Sequence, residues 1–264
     1  MLQFDHLVHF TASPEAAATK FQAHGFHTVM GGKHEKLGTY NMLSYFGLRY
    51  IEFIGVFDDV RLLEQASLPY SLNATFVKQN KAQGGLRFAL RTTNIKGLAE
   101  HFQALGYTCS GPENFSRKRP DGKIIEWQLL FIGRKDMVFD MPFFIQWKED
   151  DNTRFQTMQQ EGMIVEQPAH ITGIAYQTSH AQMMQQLWSE HLQLQALPSF
   201  DYQPFQATAY PVALQDGFTI TFYQPKYSKQ RDNLLSDNKI KALEMISTRS
   251  QDDFTIDAMH YHMK

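Results

Sequence analysis

A chain of 264 residues with 25 Lys and Arg against 27 Asp and Glu has a formal net charge of -2 and a pI near 6.6, so it carries no general basic field for nucleic acid or an anionic membrane. The single cysteine, Cys109, excludes an internal disulfide, and no uninterrupted apolar run approaches the length of a bilayer span. With an N-terminus that enters an alternating strand at once, these features predict a reduced cytoplasmic protein whose partner is a small-molecule ligand, with no nucleic acid and no membrane.

Phe4-Asp5-His6-Leu7-Val8-His9-Phe10 alternates as a short strand, and Ser13 followed by Pro14 supplies a helix N-cap and a first helical residue. The helix predicted over 13–24 stops at Gly25, and residues 26–30 resume an extended run. Residues 38–56 then read as two strands joined by a tight turn at 46–48. In the second of them Tyr50, Glu52 and Ile54 share a face by the period-two rule, so a carboxylate points where two apolar side chains point. A lone Glu is rarely buried without a partner, which makes Glu52 either an edge residue on a wet face or a site residue in a cup. His6 and His9, three apart on one strand, face opposite sides.

Residues 1–57 therefore form a first βαβββ module, and the polar stretch 58–83 a connecting helix and loop. Then the pattern returns. Phe21 and Gly25 reappear as Phe102 and Gly106, each at a spacing of 81 residues, and a fixed spacing of this size decides architecture ahead of local propensity. The same spacing sets Arg87 at the position of His6 in a second module over 84–149. There Asn94 caps the helix, 117–122 is a turn, and a last strand at 142–147 brings Gln146 to the position of Glu52. A charged linker leads to a third, divergent module over 167–264, with a helix capped by Ser179 and strands expected at 169–174, 207–214, 218–224 and 240–246. In that reading His170 stands where His6 does and Glu244 where Glu52 does. An odd number of modules leaves one sheet without a mate, so the tail at 254–263 is expected to pack along the third module, or two chains to meet there as a homodimer.

These copies, with His on the first strand and Glu on the last, resemble the vicinal oxygen chelate superfamily, which includes glyoxalases, extradiol dioxygenases and bleomycin-resistance proteins. His34, Gly38, Thr39, Tyr40 and Asn41, then Tyr50 and Glu52, then Arg119-Pro120-Asp121-Gly122 with Trp127, then Pro142 to Trp147, resemble its glyoxalase-like branch over residues 4–149. The resemblance implies an α+β fold in which repeated βαβββ modules form curved mixed sheets and two modules make a cup. It also implies a divalent ion (Zn, Fe, Mn or Ni), held by one residue from the first and one from the last strand of each module, that chelates vicinal oxygens of the substrate. Such an ion wants imidazole and carboxylate ligands converging from separate strands. His6 and Glu52 satisfy half of this, whereas Arg87 stays protonated and Gln146 offers only a neutral carbonyl oxygen. If instead the first and third modules share a cup, His6, Glu52, His170 and Glu244 form a full set. The residues alone do not choose between the two pairings.

Two function classes follow. One is a metal-dependent lyase, isomerase or dioxygenase with Glu52 as its catalytic carboxylate. The other is a metal-free protein whose cup uses Glu52, Arg87, Gln146 and tryptophan faces to bind or sequester a small polar or aromatic molecule; the substrate contacts expected are His34, Asn41, Arg87, Trp127 and Gln146. Beside these, the basic run from Arg117 to Arg119 reads as a solvated hairpin tip, Trp127 and Trp147 as core or cup wall, and His260-Tyr261-His262 as a chance tract on an exposed tail.

Overall fold

The computed structural model describes residues 1–118, 122–137, 139–226, 239–248 and 252–264. The expected motif residues Arg119, Pro120 and Asp121 lie outside the described residues. In the first module β1 (Gln3–Phe10), α1 (Pro14–Ala23), β2 (Val29–His34), β3 (Thr39–Phe46) and β4 (Arg49–Val56) follow in order, and in the second β5 (Gly84–Arg91), α4 (Ile95–Ala104), β6 (Thr108–Lys118), β7 (Ile124–Gly133) and β8 (Phe143–Trp147). Local chemistry sets these boundaries. Ser13 Oγ accepts the Ala16 N–H at 3.2 Å and Asn94 Oδ1 the Gly97 N–H at 3.0 Å, capping the two helices, while Gly25 and Gly106 follow them at φ 85° and 78°. Between the modules, α2 (Asp59–Gln65) and α3 (Leu72–Lys78) fold back over the sheet, with Phe76 edge-on to Phe10 at 4.9 Å.

Strands β1 and β4 pair in parallel, as do β5 and β8, and β1 pairs antiparallel with β5. The two modules thus join first strand to first strand in one curved sheet, ordered β6-β7-β8-β5-β1-β4-β3-β2. The helix α5 (Asp151–Gln160) leads on to β9 (Ala169–Gln177), α6 (Ala181–His191), β10 (Gln195–Ala196), β11 (Phe200–Tyr202), β12 (Ala207–Ala213) and β13 (Thr219–Pro225). His180, rather than Ser179, is the N-cap of α6.

The third copy differs from expectation in its last strand. It is β13 that lies parallel to β9, the place of β4 beside β1, whereas β14 (Lys239–Ser247) runs antiparallel to β9, the place of β5. β14 is therefore the first strand of a fourth unit, completed by the hairpin β15 (Phe254–Ile256) and β16 (Met259–Met263), with β16 parallel to β14. The tail thus covers the third copy by joining its sheet. β14 also meets β5 at Ile240 and Gly85, so the two halves are one continuous sheet, and their far faces form one core: Phe4 stacks on Phe218 at 4.1 Å, and Trp188 of α6 sits 5.8 Å from Phe88 and 4.9 Å from Phe222. Among the described residues no helix is long and apolar enough to cross a membrane.

Candidate active site

The concave face of β1, β3 and β4, closed by β7, β8 and the start of α3, encloses a cavity of about 70 Å³. Tyr50, Glu52 and Ile54 all line it, as period two requires, and so do His6, His34, Asn41 and Trp127. His6 is 4 % exposed and Glu52 7 %, so an imidazole and a carboxylate meet out of bulk water. His6 Nε2 lies 3.7 Å from Glu52 Oε2, too long for a hydrogen bond, and the Tyr50 ring stacks on His6 at 4.5 Å.

Behind His6 stands Asp5, which carries no signal in the sequence because neighbours on a strand face opposite sides. A β-bulge removes that obstacle. Phe4 and His6 oppose the consecutive residues Leu90 and Ala89, so Asp5 is the extra residue and its carboxylate turns to His6 Nδ1 at 2.7 Å. Burial alone would raise the Asp5 pKa. The His6 hydrogen bond and the charges of His6, Arg154 and Arg91 overcome it and hold the carboxyl at about 2. An ionised Asp5 can only accept, so the proton of His6 sits on Nδ1 and Nε2 is left for whatever enters the cavity. Trp147 Nε1 also donates to Asp5 Oδ2 at 2.9 Å.

On the other side of the cavity, Asn41 Nδ2 donates to Glu52 Oε1, and Asn41 Oδ1 accepts from Arg117 Nη1 at 3.4 Å. Arg117 is 7 % exposed. It is a wall of the cup, not the solvated hairpin tip that its basic run suggests, because the long β6 carries it across to β2. Gly31 makes room for it: a Cβ there would collide with Asn41 Oδ1 and Arg117 Nη1. The Gly31-Gly32 pair inside a strand was the available signal. His34, at the end of β2, takes Thr39 Oγ1 on its Nδ1 at 3.0 Å; burial depresses its pKa to about 4 against the pull of Glu52.

Other expected residues lie elsewhere. Arg87 is buried, but its guanidinium donates to Met141 O, Tyr70 O and Thr75 Oγ1 and sits over the Phe131 and Phe143 rings, fixing the α2–α3 connection. Gln146 Oε1 accepts the Ile95 N–H at 2.8 Å and so serves the start of α4. Its register with Glu52 is also corrected by the ladders. Thr11 and Thr92 donate equivalent N–H groups to Ile54 O and Ile145 O, and Val8 faces Glu52 as Ala89 faces Phe143. Phe143 is therefore the counterpart of Glu52. In the third copy Ala175 faces Thr221, which makes Gly173 the counterpart of His6 and Thr221 that of Glu52. His170 is exposed, and Glu244, on β14, binds Lys264 Nζ at 2.9 Å; the four-residue set of His6, Glu52, His170 and Glu244 is not brought together.

A sequence model described as a glyoxalase-like domain matches residues 4–192. The chain belongs to the glyoxalase-like domain family. That family sits within the vicinal oxygen chelate superfamily, whose paired modules the first two units reproduce. Over its whole length the chain is similar to a hypothetical protein from Staphylococcus aureus, with a TM-score of 0.86, 20% identity, and 100% of this chain and 99% of that chain covered. It is also similar in fold to a triple mutant of 4-hydroxymandelate synthase from Streptomyces coelicolor, with a TM-score of 0.58, 8% identity, and 94% and 71% of the two chains covered. No curated relative matches the sequence.

The metal that this superfamily implies finds a poor donor set here. His6 and Glu52 supply one imidazole and one carboxylate, while their counterparts across the cup are a guanidinium, Arg87, and a phenyl ring, Phe143. His34 also lines the cavity but does not converge with His6 and Glu52 into a three-ligand group, and two donors fall short of the three or four that a divalent ion requires. Among the described residues no group of three His, Cys, Asp or Glu converges in a way that could hold one.

Proposed function

We propose that the glyoxalase-like cup binds a small organic molecule and moves a proton on it without a metal, as a lyase or isomerase would. The observation that carries this reading is the buried chain of contacts from Asp5 through His6 to Glu52. A base needs a group that fixes its tautomer and an open nitrogen facing substrate; the Asp5 contact supplies the first and the His6 Nε2 atom the second. The 3.7 Å between Nε2 and Glu52 sets two acceptors beside a reacting hydrogen, and whichever takes the proton becomes the acid that returns the same proton at a neighbouring atom. Asn41, steered by Arg117, keeps Glu52 Oε2 turned to His6 by engaging Oε1. Tyr50, Phe143 and Trp127 give the cavity planar apolar walls, which suits an unsaturated or aromatic substrate.

The test is hydrogen exchange at carbon. Pyruvate, phenylpyruvate and acetoacetate are incubated with the protein in D2O containing a chelator, and loss of the proton signals next to the carbonyl is followed by NMR. The expected result is faster exchange for at least one of them, falling by about a hundredfold in His6→Asn and Glu52→Gln. Exchange that needs added divalent ion, or that never exceeds the protein-free rate, overturns the reading.

A further inference from the structure

Beside the inner cavity lies a larger one of about 380 Å³, within the roughly 300–1,000 Å³ range of small-molecule pockets. Tyr45, Arg117 and Trp147 line both, so the two share a wall. The far side of the larger cavity is built by α5 and the turn after it, through Arg154, Met158 and Met163, and its rim by β7.

The hydrogen-bond donors inside it are not all used. The rim lysines are matched: Lys148 holds Glu126, and Lys123 faces Glu149 at 3.8 Å. The two arginines each keep a buried donor without a partner. Arg117 gives Nη1 to the neutral Asn41 Oδ1, and its Nε is buried without a partner. Arg154 is 5 % exposed, stacks its guanidinium over Trp147 at 4.0 Å, and has an Nη1 with no hydrogen bond. Its ion-pair partner Asp151 stands 3.5 Å away and is shared with Arg91 at 2.9 Å, and its charge also acts on the buried Asp5 together with Arg91 and His6. Arg117 hydrogen-bonds the buried Tyr45 hydroxyl, and both guanidinium charges pull back down a pKa that burial raises, so both groups stand near that hydroxyl. Leaving buried guanidinium donors unpaired is costly, and an anion between them removes that cost.

We propose that this outer cavity binds the carboxylate of an amphipathic organic acid, clamped by Arg117 and Arg154, with Tyr45, Trp147 and Met158 around its apolar stem. Resting on the reading of the inner cup as the reactive site, the same clamp sets which end of the substrate reaches His6 and Glu52. A carboxylate fits better than a phosphate. Two planar guanidinium forks match a flat monoanion, and the rim lysines Lys148 and Lys123 are already taken by Glu126 and Glu149 rather than offered to a second negative charge.

The probe is 3-phenylpropionate, compared with its uncharged amide and with phenyl phosphate, by titration calorimetry on the full chain. The acid is expected to bind at least about tenfold tighter than the amide and than the phosphate. Arg154→Met and Arg117→Met, which keep the apolar stem, are each expected to weaken it by about tenfold or more, and Arg154→Lys, which keeps charge but not the fork, by less. Should Arg154→Met not fold, Arg154→Lys and Arg117→Met carry the test. Equal binding of acid and amide, tighter binding of the phosphate, or arginine variants that bind as wild type overturn the proposal. Acid binding that follows this pattern together with no carbon-proton exchange would overturn only the reading of the inner cup.

Discussion

The first and second modules share a backbone plan and differ in what that plan carries. At one pair of ladder positions the first has His6 and Glu52, and the second Arg87 and Phe143. The first pair faces a cavity; in the second, Arg87 donates to two main-chain carbonyls and packs on two phenyl rings. Third-copy positions go further. Gly173 stands for His6 and Thr221 for Glu52, and a Cβ on Gly173 would meet the Glu244 carboxylate, which fills the space. One module thus holds polar groups that its own packing does not need, and the others hold groups that packing explains. Duplication of the fold duplicated the cup's walls but not its chemistry.

The sharpest way to break this contrast is at Asp5. Asp5→Asn replaces an obligate acceptor by an amide that can donate to His6 Nδ1 as readily as accept, so the tautomer is no longer fixed. Carbon-proton exchange is expected to fall by about a hundredfold, measured by NMR in D2O. The same variant has a stability signature. Asp5 is depressed from 3.8 to about 2 in the folded chain, so its contribution of about 2 kcal/mol is present above pH 3.8 and lost as pH falls through 2. Denaturant titrations at pH 4 and pH 2 should show wild type losing that increment and Asp5→Asn keeping a flatter profile.

Glycines give a paired test of the two regions. Gly31→Ala pushes against Asn41 and Arg117, and Gly173→Ala against Thr219 and Glu244. Both should cost about 1–3 kcal/mol as overpacking does. Only Gly31→Ala should also weaken 3-phenylpropionate binding; a similar loss in Gly173→Ala would mean that the contrast between the regions is misplaced.

Much of this was legible in the sequence. The 81-residue spacing marked both modules because helix stops and the aromatic residues before them are local signals. Strand alternation put His6 and Glu52 on faces where a cup could lie, and the family resemblance pointed to His34, Asn41 and Trp127; all five line one cavity. What failed was register across long distances. β6 and β7 span 11 and 10 residues where β2 and β3 span 6 and 8, so the spacing between modules grows before the last strand is reached. Counting positions in that strand therefore selected Gln146 in place of Phe143. Asp5 was hidden by a bulge and Arg117 by the length of β6, neither of which leaves a periodic trace. Glu244 was misassigned because a β14 sequence looks the same whether it closes one module or opens the next; only pairing direction tells them apart.

A smaller effect concerns His34. Its folded pKa is depressed from 6.5 to about 4 by burial, so its neutral form supports stability fully above pH 6.5, and that support is lost as pH falls toward 4. Because His34 is only partly buried as a residue, the loss should be about 1–2 kcal/mol rather than the full linkage value. His34→Gln should flatten the melting temperature between those pH values, and a variant with the wild-type slope would assign the dependence to another histidine.

The central claim, that the first cup works without a metal, is tested most directly by thermal unfolding of wild type, Glu52→Gln and Glu244→Gln, each with chelator and with added Zn or Ni. Wild type is expected to melt at the same temperature in every condition. Glu52→Gln is expected to melt there or higher, because an acid with no cation of its own has left a buried site, and Glu244→Gln, whose carboxylate is paired with Lys264, to show no ion effect either. A wild-type melting temperature that drops in chelator, recovers with ion, and loses that response in Glu52→Gln alone would contradict it.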